Sequence, residues 1–239
     1  MAADVLGAIT VCTTTANAQD CLRLAREHDN VWCSSGVHPL HADEPADWAE
    51  MLRVAREDRC VAFGELGLDK HYDRPPLDLQ RRILHEQLDA VKGSGLDMPI
   101  IVHCREAFDE LLPTFRASGL AGERFVFHCF TGDAEEARAV LDFGAMISFT
   151  GIVTFRNARN IQEAAKITPL DRIMIETDAP FLTPEPHRKV YPNEPKYAMD
   201  TARFVADLRG ERWEAFHAAI DANTRRFFGI EWEQGAARQ

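Results

Sequence analysis

The sequence predicts an α/β fold of parallel strands alternating with helices, and three observations carry that prediction. Near-continuous apolar runs recur along the chain, as expected of parallel strands buried on both faces. Amphipathic stretches with helical spacing separate them. Four of the runs close on a carboxylate or an imidazole: Cys60-Val-Ala-Phe-Gly-Glu65, Pro99-Ile-Ile-Val-His103, Phe125-Val-Phe-His128 and Arg172-Ile-Met-Ile-Glu-Thr-Asp178. In a barrel of parallel strands all carboxyl ends meet at one rim, so residues far apart in sequence would converge there. Two imidazoles and two carboxylates in one place have the chemistry of a hydrolytic metal site.

In chain order, strands are expected over 8–12, 31–37, 60–64, 99–103, 124–128, 145–149 and 172–176, where apolar residues dominate. The segments between them, 17–29, 45–57, 77–92, 106–117, 133–143 and 158–167, carry helical periodicity. Asp133 followed by Glu136 is a capping-box signature and starts the helix after His128. Gly93-Ser94-Gly95 and Gly119 stop two others. Residues 198–228 read as two further helices. Alternation of this kind implies right-handed crossovers within one parallel sheet. No linker or low-complexity segment interrupts 1–239, which reads as a single domain. The count is seven strands, where a closed barrel of this type has about eight.

Composition narrows the function. A chain of 239 residues that is 46% hydrophobic can bury a substantial core. The formal net charge of -11 argues against broad electrostatic adhesion to nucleic acid or anionic membranes and leaves room for a local basic patch. The cysteines at 12, 21, 33, 60, 104 and 129 form no CxxC pair and point to reduced thiols in a cytoplasmic protein. No signal peptide and no bilayer-length apolar run is visible, so no membrane association is expected, and no obligate protein partner is evident.

The motifs go further. His103 is followed by Arg105 and by Asp109 at a helix start. Phe127-His128-Cys-Phe-Thr-Gly132 repeats the design, Phe63-Gly-Glu65-Leu-Gly-Leu-Asp69 supplies another corner, and Ile175-Glu-Thr-Asp178-Ala-Pro180 ends the last strand. Gly36-Val-His-Pro39 and Asn193-Glu-Pro195 add two more. Together, in this order, the motifs closely resemble the TatD family of metal-dependent hydrolases and deoxyribonucleases. The resemblance implies a TIM-type (β/α)8 barrel that binds one or two divalent cations and hydrolyses phosphodiester bonds in DNA. Carried onto this chain, it makes Glu65, His103 and His128 metal ligands. Asp178 becomes a ligand of metal or water and the general base. Arg105 and Lys189 are candidate phosphate partners, and Asn193 and Glu194 candidate substrate contacts. His38 divides between facing substrate and stabilising a turn. Mixed N/O ligands suit zinc, manganese or, less well, magnesium.

One departure stands out. Members of the family begin with a strand carrying His-x-His, and this sequence has no His-x-His. Its opening, Ala2 to Cys12, resembles the family segment that comes after that strand and its helix, so the barrel is expected to lack its first strand and helix. One metal, held by Glu65, His103 and His128, is then the expectation. Two alternatives stay open: a hydrolase of a small phosphoester or amide on the same barrel, and an inactive truncated barrel. Cys104 and Cys129 are expected to pack away from the site. His71, His85, His187 and His217 are expected at the surface, and Asp69, His71, Tyr72 and Asp73 in a polar loop beside the cleft.

Overall fold

The computed structural model describes residues 5–232, which fall into two compact units: 5–120 together with 227–232, and 121–226. In the first, β1 (Ala8–Thr10), β2 (Val31–Ser35), β3 (Cys60–Asp69) and β4 (Ile100–Arg105) pair side by side in chain order, all parallel. Helices α1 (Ala18–Glu27), α2 (Trp48–Ala55) and α3 (Leu77–Ser94) make the crossovers, and α4 (Phe108–Ser118) follows β4. Parallel strands need such crossovers because no tight turn can return the chain to the same end. Phe63, Leu66, Ile100, Val102, Leu111 and Phe115 are fully buried between the strands and their covering helices.

Two strands run past their predicted ends, and for the first the reason is physical. The sequence pattern stops β3 at residue 64 with Glu65 closing it, but the strand runs on to Asp69. The apolar run breaks at Gly64-Glu65 because the strand bulges there: Phe63 pairs with Ile100, whereas Leu66 pairs with Val102, so β3 spends one extra residue. Gly64 has φ +117, and a Cβ on it would lie 2.5 Å from the carbonyl oxygen of Ile101. Gly67, opposite His103, has φ +153 and no room for a Cβ, which would overlap the His103 carbonyl oxygen. Only glycine satisfies both the backbone angle and the close approach at these positions. β4 likewise continues two residues past His103, to Arg105.

The second unit holds β5 (Phe125–Phe127), β6 (Met146–Phe149) and β7 (Ile173–Ile175), again parallel and paired in chain order. Between them lie α5 (Ala134–Phe143) and α6 (Arg159–Ile167), and α7 (Ala198–Arg209) and α8 (Trp213–Phe228) follow. The predicted capping box on α5 forms: Asp133 accepts the N–H of Glu135 and Glu136, and Glu136 accepts the N–H of Asp133. Buried Asn223 on α8 donates to the carbonyls of Leu170 and Ile173 at 2.8 Å each, tying that helix to the start of β7. Asp178 lies three residues beyond β7, in the loop rather than at the strand's last position. No helix among the described residues is long and apolar enough to cross a membrane.

An ion network joins α3 to α4. Glu110 accepts two hydrogen bonds from Arg81, at 2.7 and 3.0 Å, and pairs with Lys70 at 2.7 Å. The Arg81 fork, then Lys70, holds the Glu110 carboxyl down at about 2, from its usual 4.5. A carboxyl lowered on folding stabilises above its unfolded value and loses that stabilisation as pH falls through its folded one. Glu110→Gln should therefore lower the melting temperature at neutral pH and flatten the loss of stability between roughly pH 4.5 and 2. Because the network is solvent-screened, the effect at pH 7 should be about 1 kcal/mol or less. Identical melting curves for both proteins across that range would contradict it.

Candidate metal and catalytic site

In the first unit, the bulge on β3 aims Glu65 at His103 of the neighbouring strand, with Glu65 Oε1 2.9 Å from His103 Nδ1. The other ring nitrogen, Nε2, lies 2.9 Å from Asp69 Oδ2. Asp69 is 1% exposed, and its Oδ1 accepts the N–H of His71 and, more weakly, of Tyr72. A carboxylate fixed in that way takes the Nε2–H of His103 and leaves Nδ1 as the nitrogen offered toward Glu65, the arrangement that orients metal-binding imidazoles. Burial pulls the His103 pKa down, but hydrogen bonds and charge from Asp69 and Glu65 outweigh it and leave it raised. The point between Glu65 and His103 is thus built to hold positive charge.

His38 joins this group. Its Nε2 lies 3.0 Å from His103 Nδ1 and 3.6 Å from Glu65 Oε1, so three potential ligand atoms face one another. Spacings of about 3.0–3.5 Å are those of neighbouring ligands around an ion bound at about 2.0–2.2 Å. The ring's other nitrogen, however, accepts the backbone N–H of Leu40 at 3.1 Å. A neutral imidazole that accepts at Nδ1 carries its proton on Nε2, and burial holds His38 neutral, with a pKa of about 4. His38 therefore fits an N–H donor beside the ligands better than a ligand. One nitrogen thus stabilises the turn, and the other lies beside Glu65 and His103.

Two glutamines hold this constellation from behind, and neither is signalled by a sequence motif. Buried Gln87 on α3 donates to the carbonyl of Val37 at 2.9 Å and accepts its N–H at 2.8 Å, fixing the backbone that presents His38. Two helical turns earlier, Gln80 does the same for Asp69, at 3.0 and 2.9 Å. Seven residues apart on one helix, both fall on its buried stripe. In a sequence they look like ordinary polar interruptions of that stripe.

The second unit repeats the scheme. His128 follows β5 directly, and its Nδ1 lies 2.9 Å from Glu176 Oε2 while its Nε2 faces Asp178 Oδ1 at 3.6 Å. Glu176 also accepts the backbone N–H of Cys129 at 2.9 Å, which fixes it. Here too one carboxylate lies beside one ring nitrogen and a second faces the other. Glu176 is absent from the sequence-based candidates, although alternation along Ile175-Glu-Thr-Asp178 places it and Asp178 on one side. The Cys129 thiol turns to Thr150 Oγ1 at 3.2 Å, and burial pushes it up to about 12; Cys104 is buried.

The remaining candidate residues differ in their surroundings. Arg105 is half-buried, with its guanidinium 5.2 Å from the ring centre of Tyr72 and no ion pair among the described residues. Tyr72 and Asp73, with Leu40 and Arg74, line a cleft of about 550 Å³, so part of the expected polar loop does border a cleft. Lys189 is exposed, and Glu194 pairs with Lys196 at 2.9 Å. Asn193 is 3% exposed, and its amide donates to the carbonyl of Phe181 at 2.6 Å, closing the loop after Asp178 rather than reaching outward. His71, His85 and His217 are exposed as expected, whereas His187 is half-buried against Asp200.

Comparison with known proteins shows the family. The family model described as TatD related DNase matches residues 1–229. An uncharacterized metal-dependent hydrolase, YcfH of Escherichia coli K12, is 40% identical over 96% of this chain and 86% of its own length. The 3'-5' ssDNA/RNA exonuclease TatD of Klebsiella pneumoniae 342 is 34% identical over 96% of this chain and 89% of its own. Among solved structures, the TatD homologue YJJV of Escherichia coli K12 superposes with a TM-score of 0.88 at 27% identity, covering 95% of this chain and 88% of the other. The fold is thus the TIM-type α/β arrangement that the sequence predicts. The chain belongs to the TatD-related DNase family of metal-dependent hydrolases.

Proposed function

We propose that this protein is a nuclease that hydrolyses phosphodiester bonds of DNA with a metal-activated water, and that residues 1–239 act as one catalytic domain. The observation that carries this reading is the paired design around each imidazole. His103 has each ring nitrogen hydrogen-bonded to a carboxylate, and His128 lies between two carboxylates at 2.9 and 3.6 Å. Ordinary core histidines do not need two carboxylates each; ligands do. The family model spanning 1–229 supports the single-domain reading, and the relative named an ssDNA/RNA exonuclease supports the substrate class.

In this reading Glu65 and His103 hold a divalent cation, and the strand-end motif shared with the family supports His128 as the next ligand. Such a cation lowers the pKa of a bound water and neutralises charge developing on the phosphate. Asp178 Oδ1 orients the attacking water and accepts its proton. His38 donates from Nε2 to a phosphate oxygen, with its ring held by the Leu40 N–H. Arg105 offers further charge-assisted donors. Asn193 acts by fixing the loop behind Asp178, and Glu194 by neutralising Lys196 beside it. Zinc, manganese and magnesium are the candidate ions.

The test is cleavage of a 5'-labelled single-stranded oligonucleotide with each metal in turn. We expect activity that chelator abolishes and one of the metals restores. The net charge of -11 favours a second reading, hydrolysis of a small phosphoester, because long-range attraction for a polyanion is missing. If p-nitrophenyl phosphate esters are hydrolysed and the oligonucleotide is untouched under every metal, that second reading replaces the first.

A further inference from the structure

The loop after Asp178 carries exposed groups that the hydrolytic site does not use. Phe181 is 59% exposed and Tyr191 73%, the two most exposed large hydrophobic side chains among the described residues. The loop that presents them is fixed rather than slack. Asn193 clasps its two ends, through its side chain to the Phe181 carbonyl and its N–H to the Pro180 carbonyl at 2.9 Å. Thr183 donates to the Val190 carbonyl at 2.8 Å, and the N–H of Glu185 donates to buried Thr154 at 2.9 Å. Exposed aromatics on a braced loop lose little rotamer freedom on contact.

Charge on the same loop is sorted. His187 faces Asp200 at 3.7 Å, and Lys196 is paired with Glu194. Arg188 and Lys189 have no acidic partner among the described residues, and Arg188 is held with its guanidinium 3.9 Å from the ring centre of Phe155. They line a cleft of about 520 Å³ together with Glu185, Pro186, His187 and Val190, in which Glu185 is the acidic side chain. In a chain of net charge -11, these two cations, which fall between the two exposed aromatics in sequence, form a local exception. The loop also starts beside the candidate base, since the N–H of Phe181 donates to the carbonyl of Asp178 at 2.6 Å.

We propose that Phe181, Arg188, Lys189 and Tyr191 form a docking platform for single-stranded nucleic acid, the rings stacking on unpaired bases and the cations holding the intervening phosphates. Aromatic faces recognise any base provided it is unstacked, and cations beside them track the backbone. An intact duplex offers only its phosphates, so the platform selects single strands. This assignment rests on the nuclease reading above and deepens it by locating where the strand is gripped.

The experiment is binding of a fluorescent ten-nucleotide oligothymidylate to the full chain in EDTA, read by anisotropy, so that grip is measured without hydrolysis. Phe181→Ala and Tyr191→Ala should each weaken binding about tenfold. Tyr191→Phe should bind like the parent, because stacking does not need the hydroxyl. Arg188→Ala and Lys189→Ala should each reduce the slope of log affinity against log salt by about 0.7. If both aromatic-to-alanine variants bind as tightly as the parent, or a duplex competes as well as the single strand, the platform is wrong even when cleavage is intact. If the oligonucleotide binds as described but no metal supports its cleavage, the platform stands and the nuclease reading falls.

Discussion

Asp178→Asn is expected to lower the rate of phosphodiester cleavage by about 10²–10⁴-fold, the usual cost of removing a positioned general base. The substitution keeps the shape and removes only the ability to take a proton. Asp178 stands in a loop past β7, about one-third exposed, with Oδ1 facing His128 Nε2 at 3.6 Å. Little structure depends on its charge, so the melting temperature should move by no more than a degree or two. Two measurements check this: single-turnover cleavage at saturating metal, and metal affinity by calorimetry. A large loss of rate with nearly unchanged metal affinity identifies the base. A loss that saturating metal repairs would make Asp178 a ligand and nothing more, and an unchanged rate would remove it from the mechanism.

The second large effect is expected at Asp69, which the sequence presents as one member of a polar loop. Asp69→Asn should weaken divalent-metal binding about 10- to 100-fold, as loss of a carboxylate behind a metal-binding imidazole does. The carboxylate Oδ2 accepts from His103 Nε2, and hydrogen bonds from His103 and from the His71 and Tyr72 N–H groups outweigh burial to keep Asp69 ionised. An amide in its place can turn its NH2 toward His103 and favour the opposite tautomer, with the proton moved to the nitrogen that should face the cation. Nitrogen NMR of the imidazole in metal-free protein reads that tautomer directly. We expect Nε2 protonated in the parent and a mixture in the variant. If tautomer and metal affinity are both unchanged, Asp69 only fixes the turn to Tyr72.

How much of this is legible in the sequence depends on range. The seven strands and the helices between them lie within a few residues of the positions that apolar periodicity assigns, because burial on both faces writes a strand into consecutive residues. Capping at Asp133 and stops at Gly95 and Gly119 are local chemistry and are equally visible. His103 and His128 announce themselves because an imidazole ends an apolar run. Glu176 does not, since one carboxylate two residues before another reads as redundancy until a ring is seen between the two. Gln80 and Gln87 are invisible for a different reason: the backbone they bond lies eleven and fifty residues away. The true end of β3 is hidden by the bulge, which breaks the alternation that defines a strand.

Because of that bulge, pairing places Gly67 directly opposite His103, with Glu65 two residues before it and Asp69 two residues after. A single strand thus grips both edges of the ring, and the missing side chain at the centre leaves room for the His103 backbone. The imidazole surrenders its rotational freedom when β3 and β4 zip together, long before any ion arrives. Ordering that elsewhere accompanies metal capture is here part of folding, so an arriving cation meets a ligand already standing in its bound pose.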